Sequence, residues 1–297
     1  MKRRVIPLTA RPAVRSNSVR SRLRTSLALR VAVVSLLAGH AAAADTLAPA
    51  LRAVDDSAVA IFAFRDRHDR PMAWPVTPYR DGNVVAVTST LAYMKKTLHV
   101  RRDGRVALLA GGWLLTGHAR VHADVSGDEF VSRFLPQELR KYPPARDIVR
   151  VPFHRYLFWW YFGRVCMEFT PDTAREVTGV DRATLITLDA NGFPRITPVR
   201  ETDLRNNRFA LQPPGSEALV DLPDGPATVL VHMEPSMSDL RQLVLRGQIQ
   251  SGVFVVKSRH GSLEPPAPRG WLGEIRRHIE FHRHAREAAR VIQGWER

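Results

Sequence analysis

The chain has 297 residues, a formal net charge of +15, 44% hydrophobic residues, 21 prolines and a single cysteine. This length and composition suit one large or two small globular domains, and they exclude a disordered or collagen-like polymer. One thiol forms no internal disulfide, so the fold depends on its hydrophobic core, which fits a reducing compartment.

The positive charge is concentrated at the start of the chain. Residues 1–44 contain nine basic residues and no acidic residue, so the remainder carries a net charge of only +6. A balance of this size suits a small anionic ligand as well as a polyanion. We therefore predict a small-molecule substrate and no nucleic-acid partner.

Residues 1–44 have two interpretations. The apolar run Val31–Ala38, followed by four alanines before Asp45, resembles a secretory signal with a small-residue cleavage site. The long basic region, with Arg30 beside the apolar run, favours a disordered extension or a start codon assigned too far upstream. We expect a cytoplasmic protein, with export as the alternative. The sequence contains no run of about 18 apolar residues, so we predict no membrane span.

The following residues predict a short helix and then mainly strands. In chain order we expect a helix Thr46–Asp55; strands Ser57–Phe64, Met72–Tyr79 and Asn83–Thr90; a helix Leu91–Arg102; strands Arg105–Ala110 and Trp113–Ala123; a helix Asp128–Lys141; and an aromatic strand Tyr156–Thr170. A hairpin signal, Asp81-Gly82, precedes the third strand. Local hairpins with few helices favour an antiparallel barrel over a parallel sheet.

Three sequence matches in the same order indicate an internal duplication. The pattern P-x-x-x-P-V occurs at Pro71–Val76 and again 123 positions later at Pro194–Val199. Residues 103–109 match residues 224–230, and residues 114–117 match residues 244–247. We predict a first barrel at residues 45–171, a second, degenerate barrel at residues 172–258, and a linker with a C-terminal amphipathic helix at residues 259–297.

The paired prolines of this pattern have a physical meaning. Each proline removes a backbone donor, which confines its strand to a sheet edge or a bulge. Such an edge leaves room for a ligand, or the prolines serve only to protect the edge from aggregation. The sequence leaves both interpretations open.

The segment after the third strand has the features of an anion site. Three hydroxyl residues end that strand just before the predicted helix: Thr88, Ser89 and Thr90. A hydroxyl at this position caps a helix, and the free N–H groups and helix dipole attract phosphate. Lys95 and Lys96 follow about one turn later, and Arg101, Arg102 and Arg105 add positive charge. Alternatively, Thr90 is an ordinary cap and the lysines form a solvated face.

The matching segment of the second copy differs in charge. Residues 209–223 contain no lysine and carry Glu217 and Asp221 instead. We therefore expect only the first copy to supply phosphate binding.

The order of these motifs resembles the pyridoxamine 5′-phosphate oxidase-like FMN-binding split-barrel family. The matching features are the P-x-x-x-P-V strand, the D-G turn, the strand ending in T-S-T, the helix with a lysine, and R-V-A-L-L. The resemblance covers residues 46–170 well and residues 181–257 weakly. It implies a mainly β fold of tandem six-stranded antiparallel Greek-key split barrels with peripheral helices.

The resemblance also implies a function and a site. Family members are usually homodimers, so this chain resembles a fused pseudo-dimer, which is itself a monomer or a homodimer. The implied activity is that of an oxidoreductase dependent on FMN or a deazaflavin, with hydride transfer to or from an unidentified small molecule. A non-catalytic flavin- or haem-binding protein is the alternative. The cofactor carries the redox chemistry, so no catalytic side chain is implied.

The site residues are carried over by position. The ring of the cofactor is expected beside Pro75, Val76 and Thr77, and its phosphate at Thr88, Ser89, Thr90 and Lys96. Lys95 is the weaker candidate, because the family lysine aligns with Lys96.

Three further features have structural interpretations. The aromatic run at residues 153–162 predicts a strand in the barrel core, or else a stacking surface. Cys166 is interpreted as a buried strand thiol with no base nearby. His278 and His282, on an amphipathic helix expected to dock on the barrel or on another chain, have no third ligand apparent, so we predict no metal site.

Overall fold

The computed structural model describes residues 46–179, 182–200, 207–211, 222–233, 239–267 and 270–295. The predicted signal-like or disordered segment, residues 1–44, lies outside the described residues, as do Glu217 and Asp221.

The first copy contains helix α1 (residues 46–56), β1 (Ala60–Arg65), β2 (Pro71–Val76), β3 (Pro78–Asp81), β4 (Val84–Thr90), a 3₁₀ segment (Leu91–Lys96), α2 (Thr97–Arg102), β5 (Arg105–Ala110), β6 (Trp113–His118), β7 (Arg120–Asp124), a π turn (Phe130–Phe134), α3 (Leu135–Lys141), α4 (Ala145–Arg150), α5 (His154–Leu157), α6 (Trp159–Phe162), β8 (Arg164–Phe169) and β9 (Pro171–Glu176).

The rest of the described chain contains six strands and one long helix. These elements are β10 (Ala183–Leu188), β11 (Pro194–Val199), β12 (Arg208–Ala210), β13 (Gly225–Met233), β14 (Arg241–Gln250), β15 (Val253–Ser262) and α7 (Trp271–Gln293). None of the helices in the described ranges is both long enough and apolar enough to cross a membrane.

Two antiparallel sheets enclose the core of the first copy. Their strand orders are β2-β1-β5-β6-β9 and β3-β4-β8-β7. The chain passes between the sheets at Thr77, Ala119 and Thr170, so the predicted continuous strands Met72–Tyr79 and Trp113–Ala123 are each divided in two. Close backbone contact explains the bend at Gly117, where a Cβ would lie 2.8 Å from the Thr170 carbonyl oxygen.

The two faces of the first sheet pack against different partners. Side chains alternate along a strand, so Phe62, Leu108 and Leu115 point into the barrel core, which they share with Val87 and Met167 of the second sheet. The intervening residues of the first sheet point to the opposite face and pack against the second copy.

The strand pairing repeats between the two copies. In the first copy Phe62 pairs with Leu108, and Leu108 pairs with Leu115. The matching residues Leu185, Val229 and Leu245 pair in the same way in the six-stranded sheet β11-β10-β13-β14-β15-β12. The P-x-x-x-P-V strands β2 and β11 are edge strands of their sheets, as their prolines predict. The fold is mainly β, with antiparallel sheets and peripheral helices, as the sequence predicts.

The two copies meet through equivalent residues. Four matched pairs lie in one buried cluster between the sheets: Ala63 and Ile186, Ala73 and Ile196, Leu109 and Leu230, Leu114 and Val244. The same positions of both copies form the contact, as in the self-complementary interface of a twofold dimer. Thr228 adds a hydrogen bond across the contact, donating from Oγ1 to the Pro71 carbonyl oxygen at 2.6 Å.

The predicted aromatic strand Tyr156–Thr170 is wrong over its first half. Residues 154–162 form the short helices α5 and α6, preceded by Phe153 in a left-handed conformation with φ of 57°. Phe153 and Tyr156 are 84% and 83% exposed, whereas Tyr161 and Phe162 are buried. This distribution follows helical turns and not strand alternation, so the run is neither a barrel strand nor wholly core.

Candidate functional site

A largely apolar cavity of about 700 Å³ lies beside the β4–α2 connection. Its walls come from Trp74 and Pro75 of β2, from residues 91–96 and Leu98, and from Leu240 and Gln242 at the start of β14. The helix α7 closes one side through His284, Glu287, Ala288 and Val291. This volume is in the range of small-molecule and cofactor sites.

Part of the predicted site borders this cavity. Pro75, Lys95 and Lys96 line it. Thr90 lines a neighbouring cavity of about 490 Å³, and Tyr93 borders both cavities. The structure thus brings one strand residue and both lysines to a common cavity, with Thr90 next to it.

The other predicted residues do not line either cavity. Val76 is buried in the barrel core, and Thr77 is the half-buried residue between β2 and β3. Thr88 lies opposite Cys166 in the β4–β8 pair. Ser89 is buried and donates from Oγ to the Tyr93 carbonyl oxygen at 3.1 Å.

The predicted helix cap at Thr90 is wrong. Its side chain makes no capping hydrogen bond, and the segment after it is a 3₁₀ turn with a kink at Tyr93. The Leu91 N–H donates instead to the Gly163 carbonyl oxygen at 3.1 Å. The α-helix begins only at Thr97 and has six residues, so the predicted helix Leu91–Arg102 presents no regular helix N-terminus at Thr90.

Lys96 is a cation without a partner. It is half-buried, and within the described ranges no residue forms a hydrogen bond or ion pair with its Nζ. Burial, with a further contribution from the charge of Arg164, lowers the pKa of Lys96 to about 8. Lys95 is exposed. A half-buried amine with no carboxylate partner favours an anionic ligand.

The arginines expected to add charge are engaged elsewhere. Arg102 donates to the Asp66 carbonyl oxygen at 2.6 Å, and Arg105 pairs with Asp103 at 2.8 Å. Arg101 donates to the carbonyl oxygen of Trp295 and stacks on its ring. These three side chains therefore stabilise the fold around α2.

The sequence analysis missed Arg164, the first residue of β8. Its side chain is 6% exposed, and its guanidinium lies over the rings of Phe130 and Tyr161 at 4.0 and 4.5 Å. It lies directly opposite Thr90, and both residues have enclosed polar atoms without a hydrogen-bond partner: Nε and Nη2 of Arg164 and Oγ1 of Thr90. The sequence does not indicate a role for this isolated arginine in an apolar strand, because the residues that contact it in space come from distant segments.

A buried carboxylate partly balances Arg164. Glu138 accepts hydrogen bonds from the hydroxyls of Tyr79 at 2.8 Å and Tyr161 at 2.6 Å, and it lies 3.8 Å from Arg164 Nη2. Burial, with the charge of Glu138 adding to it, raises the pKa of both tyrosines, so they stay protonated and donate. This network holds Arg164 in place behind the β4 corner.

Trp74 is a second residue that the analysis did not single out. Its indole Nε1 is enclosed and has no hydrogen-bond partner, while the residue itself lines the cavity. A donor without an acceptor at a cavity wall is a group that a polar ligand atom can satisfy.

The histidines of α7 do not form one cluster. His278 and His282 face each other with their Nε2 atoms 3.2 Å apart. Trp160 Nε1 donates a hydrogen bond to His278, and His282 Nε2 contacts the Leu157 carbonyl oxygen. His284 lines the cavity instead. The helix α7 packs on the 3₁₀ segment through Ala285, Ala288 and Ile292. Of the two predicted docking positions, the barrel or another chain, this contact corresponds to the first.

Comparisons with known proteins found similar solved structures. No protein-family model and no curated protein matches the chain. A protein related to general stress protein 26, of the pyridoxinephosphate oxidase family from Clostridium acetobutylicum, is 12% identical; the match covers 44% of this chain and 86% of that chain, with a TM-score of 0.31. A pyridoxamine 5′-phosphate oxidase-related, FMN-binding protein from Nostoc punctiforme is 8% identical, with 76% and 96% covered and a TM-score of 0.26.

A haem-binding protein from Mycobacterium smegmatis is also similar. It is 13% identical to this chain, with 82% of this chain and 95% of that chain covered and a TM-score of 0.31. The solved structures to which this chain is similar therefore include pyridoxamine 5′-phosphate oxidase-related proteins, the family that its sequence motifs resemble.

Proposed function

We propose that the protein is an oxidoreductase that binds FMN or a deazaflavin in the cavity beside the β4–α2 connection. The observation that carries the proposal is the unpartnered Lys96 at the wall of a large, mainly apolar cavity. An amine of this kind binds the anionic tail, and the apolar walls suit a flat ring.

The surrounding residues fit such a ligand. Arg164 adds a buried positive charge from behind the corner, and Trp74 offers a free indole N–H at the cavity wall. Pro75 brings the edge strand β2 to the ring. When bound, a flavin or deazaflavin supplies hydride chemistry, while these side chains bind and orient it.

The first experiment identifies the ligand. We expect the purified full-length chain to carry, or to take up, FMN or a deazaflavin, detected by its absorbance and by mass spectrometry of the released molecule. Reduction of the bound cofactor by a nicotinamide donor would support an enzyme, whereas binding without turnover would indicate a carrier. A chain that binds neither cofactor would refute the proposal.

The second experiment tests the contact. Lys96→Ala is expected to weaken FMN binding roughly 10- to 100-fold, because it removes a charge-assisted hydrogen bond worth about 1.5–3 kcal/mol. The matched comparison Lys95→Ala removes the neighbouring lysine, which also borders the cavity but is exposed, and should weaken binding far less than Lys96→Ala. Equal losses in a fluorescence titration would show that the assignment of Lys96 is wrong.

One observation favours a second candidate, a haem-binding protein. His284 of α7 lines the cavity, and histidine is a common axial ligand of haem iron. A Soret band in the purified protein that disappears in His284→Ala would select this candidate over the flavin.

A further inference from the structure

A second cluster of chemically active side chains lies outside this cavity. His122 on β7 is the direct cross-strand partner of Cys166 on β8. Glu129, the residue before the π turn Phe130–Phe134, lies beside His122, with its Oε2 2.9 Å from His122 Nε2. The expectation that Cys166 has no base nearby is therefore wrong.

The spacing of these three groups matches a metal site. One ligand atom from each of His122, Glu129 and Cys166 lies within 4.8 Å of the other two. A tetrahedral zinc ion with a thiolate, an imidazole and a carboxylate requires ligand atoms about 3.3–3.6 Å apart. Small side-chain rotations would therefore bring the three atoms to bonding distance.

The surroundings hold the Glu129 carboxylate in place and leave one side of the cluster open to solvent. Arg133 binds Glu129 through the other carboxylate oxygen, Oε1, and also contacts Glu168 at 2.9 Å. It thereby fixes the Glu129 carboxylate with Oε2 toward His122, as outer-shell partners of metal ligands do. Cys166 is fully buried, while the His122 and Glu129 side chains are 39% and 29% exposed, so an ion can enter from the solvent side.

We propose that His122, Glu129 and Cys166 form a binding site for a divalent transition metal ion of the zinc type, separate from the cofactor cavity. The thiolate and the carboxylate together carry two negative charges, which match a divalent cation. Binding releases the thiol proton to water, and His122 coordinates through an unprotonated ring nitrogen. A fourth position stays open to water on the exposed side. Mixed sulfur, nitrogen and oxygen ligands favour zinc over magnesium or calcium.

The single cysteine makes the test specific. The reduced, full-length chain is first freed of metal with a chelator and then titrated with Co²⁺, which reports zinc sites through its absorption. We expect one equivalent of Co²⁺ to produce a thiolate-to-cobalt charge-transfer band in the near ultraviolet, and Zn²⁺ to bleach it. Because Cys166 is the only thiol, such a band reports this site and no other histidine cluster.

The variants distinguish the site from adventitious binding. Cys166→Ser should abolish the charge-transfer band, and His122→Gln or Glu129→Gln should weaken Co²⁺ binding roughly tenfold or more. The control His118→Gln changes an exposed histidine that pairs with Asp172 and should leave the band unchanged. If Cys166→Ser does not fold, the half-exposed His122 and Glu129 variants still decide the matter. The absence of the band in the wild-type chain, or its persistence at unchanged affinity in His122→Gln, would overturn the proposal.

Discussion

The two copies have the same arrangement of paired strands but differ in their charged residues. Matched residues pair in the same register and pack across the same contact, as Leu109 and Leu230 do. The first copy adds the β4 corner, where Lys96 and Arg164 form a positively charged pair with no matching lysine in residues 209–223 of the second copy. The hydrophobic pattern is therefore shared by the two copies, while the charged residues at the β4 corner are not.

The largest expected effect tests the equivalence of the frameworks. Leu109→Ala and Leu230→Ala each remove a buried side chain from the contact between the copies, and each should lower the free energy of unfolding by about 3 kcal/mol. Chemical denaturation followed by circular dichroism measures both losses. A loss below about 1 kcal/mol at one position only would show that the copies do not pack equivalently.

The next effect tests the difference between the copies. Arg164→Met should weaken FMN binding roughly 5- to 30-fold through the lost positive charge. Stability should also fall, because the loss of Arg164 leaves the buried Glu138 carboxylate without its cation. FMN affinity is therefore measured under conditions in which circular dichroism shows the variant to be fully folded, which separates a binding role from a structural one.

The second copy provides the matched control for this experiment. Arg246 on β14 is half-buried, and its Nε, like that of Arg164, has no hydrogen-bond partner. Arg246→Met should leave FMN binding unchanged if only the first copy holds the anion. An equal loss of affinity in the two variants would mean that the second copy also supplies positive charge to the anion.

The smallest effect concerns pH. Lys96 has a lowered pKa of about 8, so the cation that attracts the phosphate is present below pH 8 and is lost above it. FMN affinity should fall up to about tenfold between pH 7 and pH 9, while the phosphate, with a second pKa of about 6, does not titrate there. Isothermal titration at several pH values measures the trend.

Two controls isolate Lys96 as the cause. Lys96→Arg keeps its charge throughout this range and should give a flat profile. Riboflavin has no phosphate, and its binding should not follow the titration. A pH dependence that persists in Lys96→Arg would assign the effect to another group.

The framework was predictable because it depends on a repeated pattern. Apolar runs and the P-x-x-x-P-V prolines locate β1, β2 and β11, and the three sequence matches fall on segments that pair equivalently in the two copies. The strand predicted for the aromatic run was wrong, because that prediction rested on the general preference of aromatic residues for strands. In the structure, tertiary packing buries Tyr161 and Phe162 and leaves Phe153 and Tyr156 exposed.

The site was predictable only in part. The sequence indicated Lys96 because it follows T-S-T closely and aligns with the family lysine, and the structure brings it to the cavity wall. The prediction of a helix cap at Thr90 was wrong, because the chain forms a kinked 3₁₀ segment there. Tertiary contacts, such as the hydrogen bond from the Leu91 N–H to the Gly163 carbonyl oxygen, stabilise this conformation. Arg164 and the His122–Cys166 pair depend on cross-strand register, which a single sequence does not encode locally.

The contact between equivalent residues has an evolutionary consequence. In a homodimer every substitution occurs twice, so a residue useful at one site is imposed on both. Here a single peptide chain carries the two sides of the contact, so Ala63 can stay small where its counterpart Ile186 is large. Covalent joining thus allows a small residue and a bulky one to occupy equivalent positions, as at Ala63 and Ile186, and selection can change one half without altering the other.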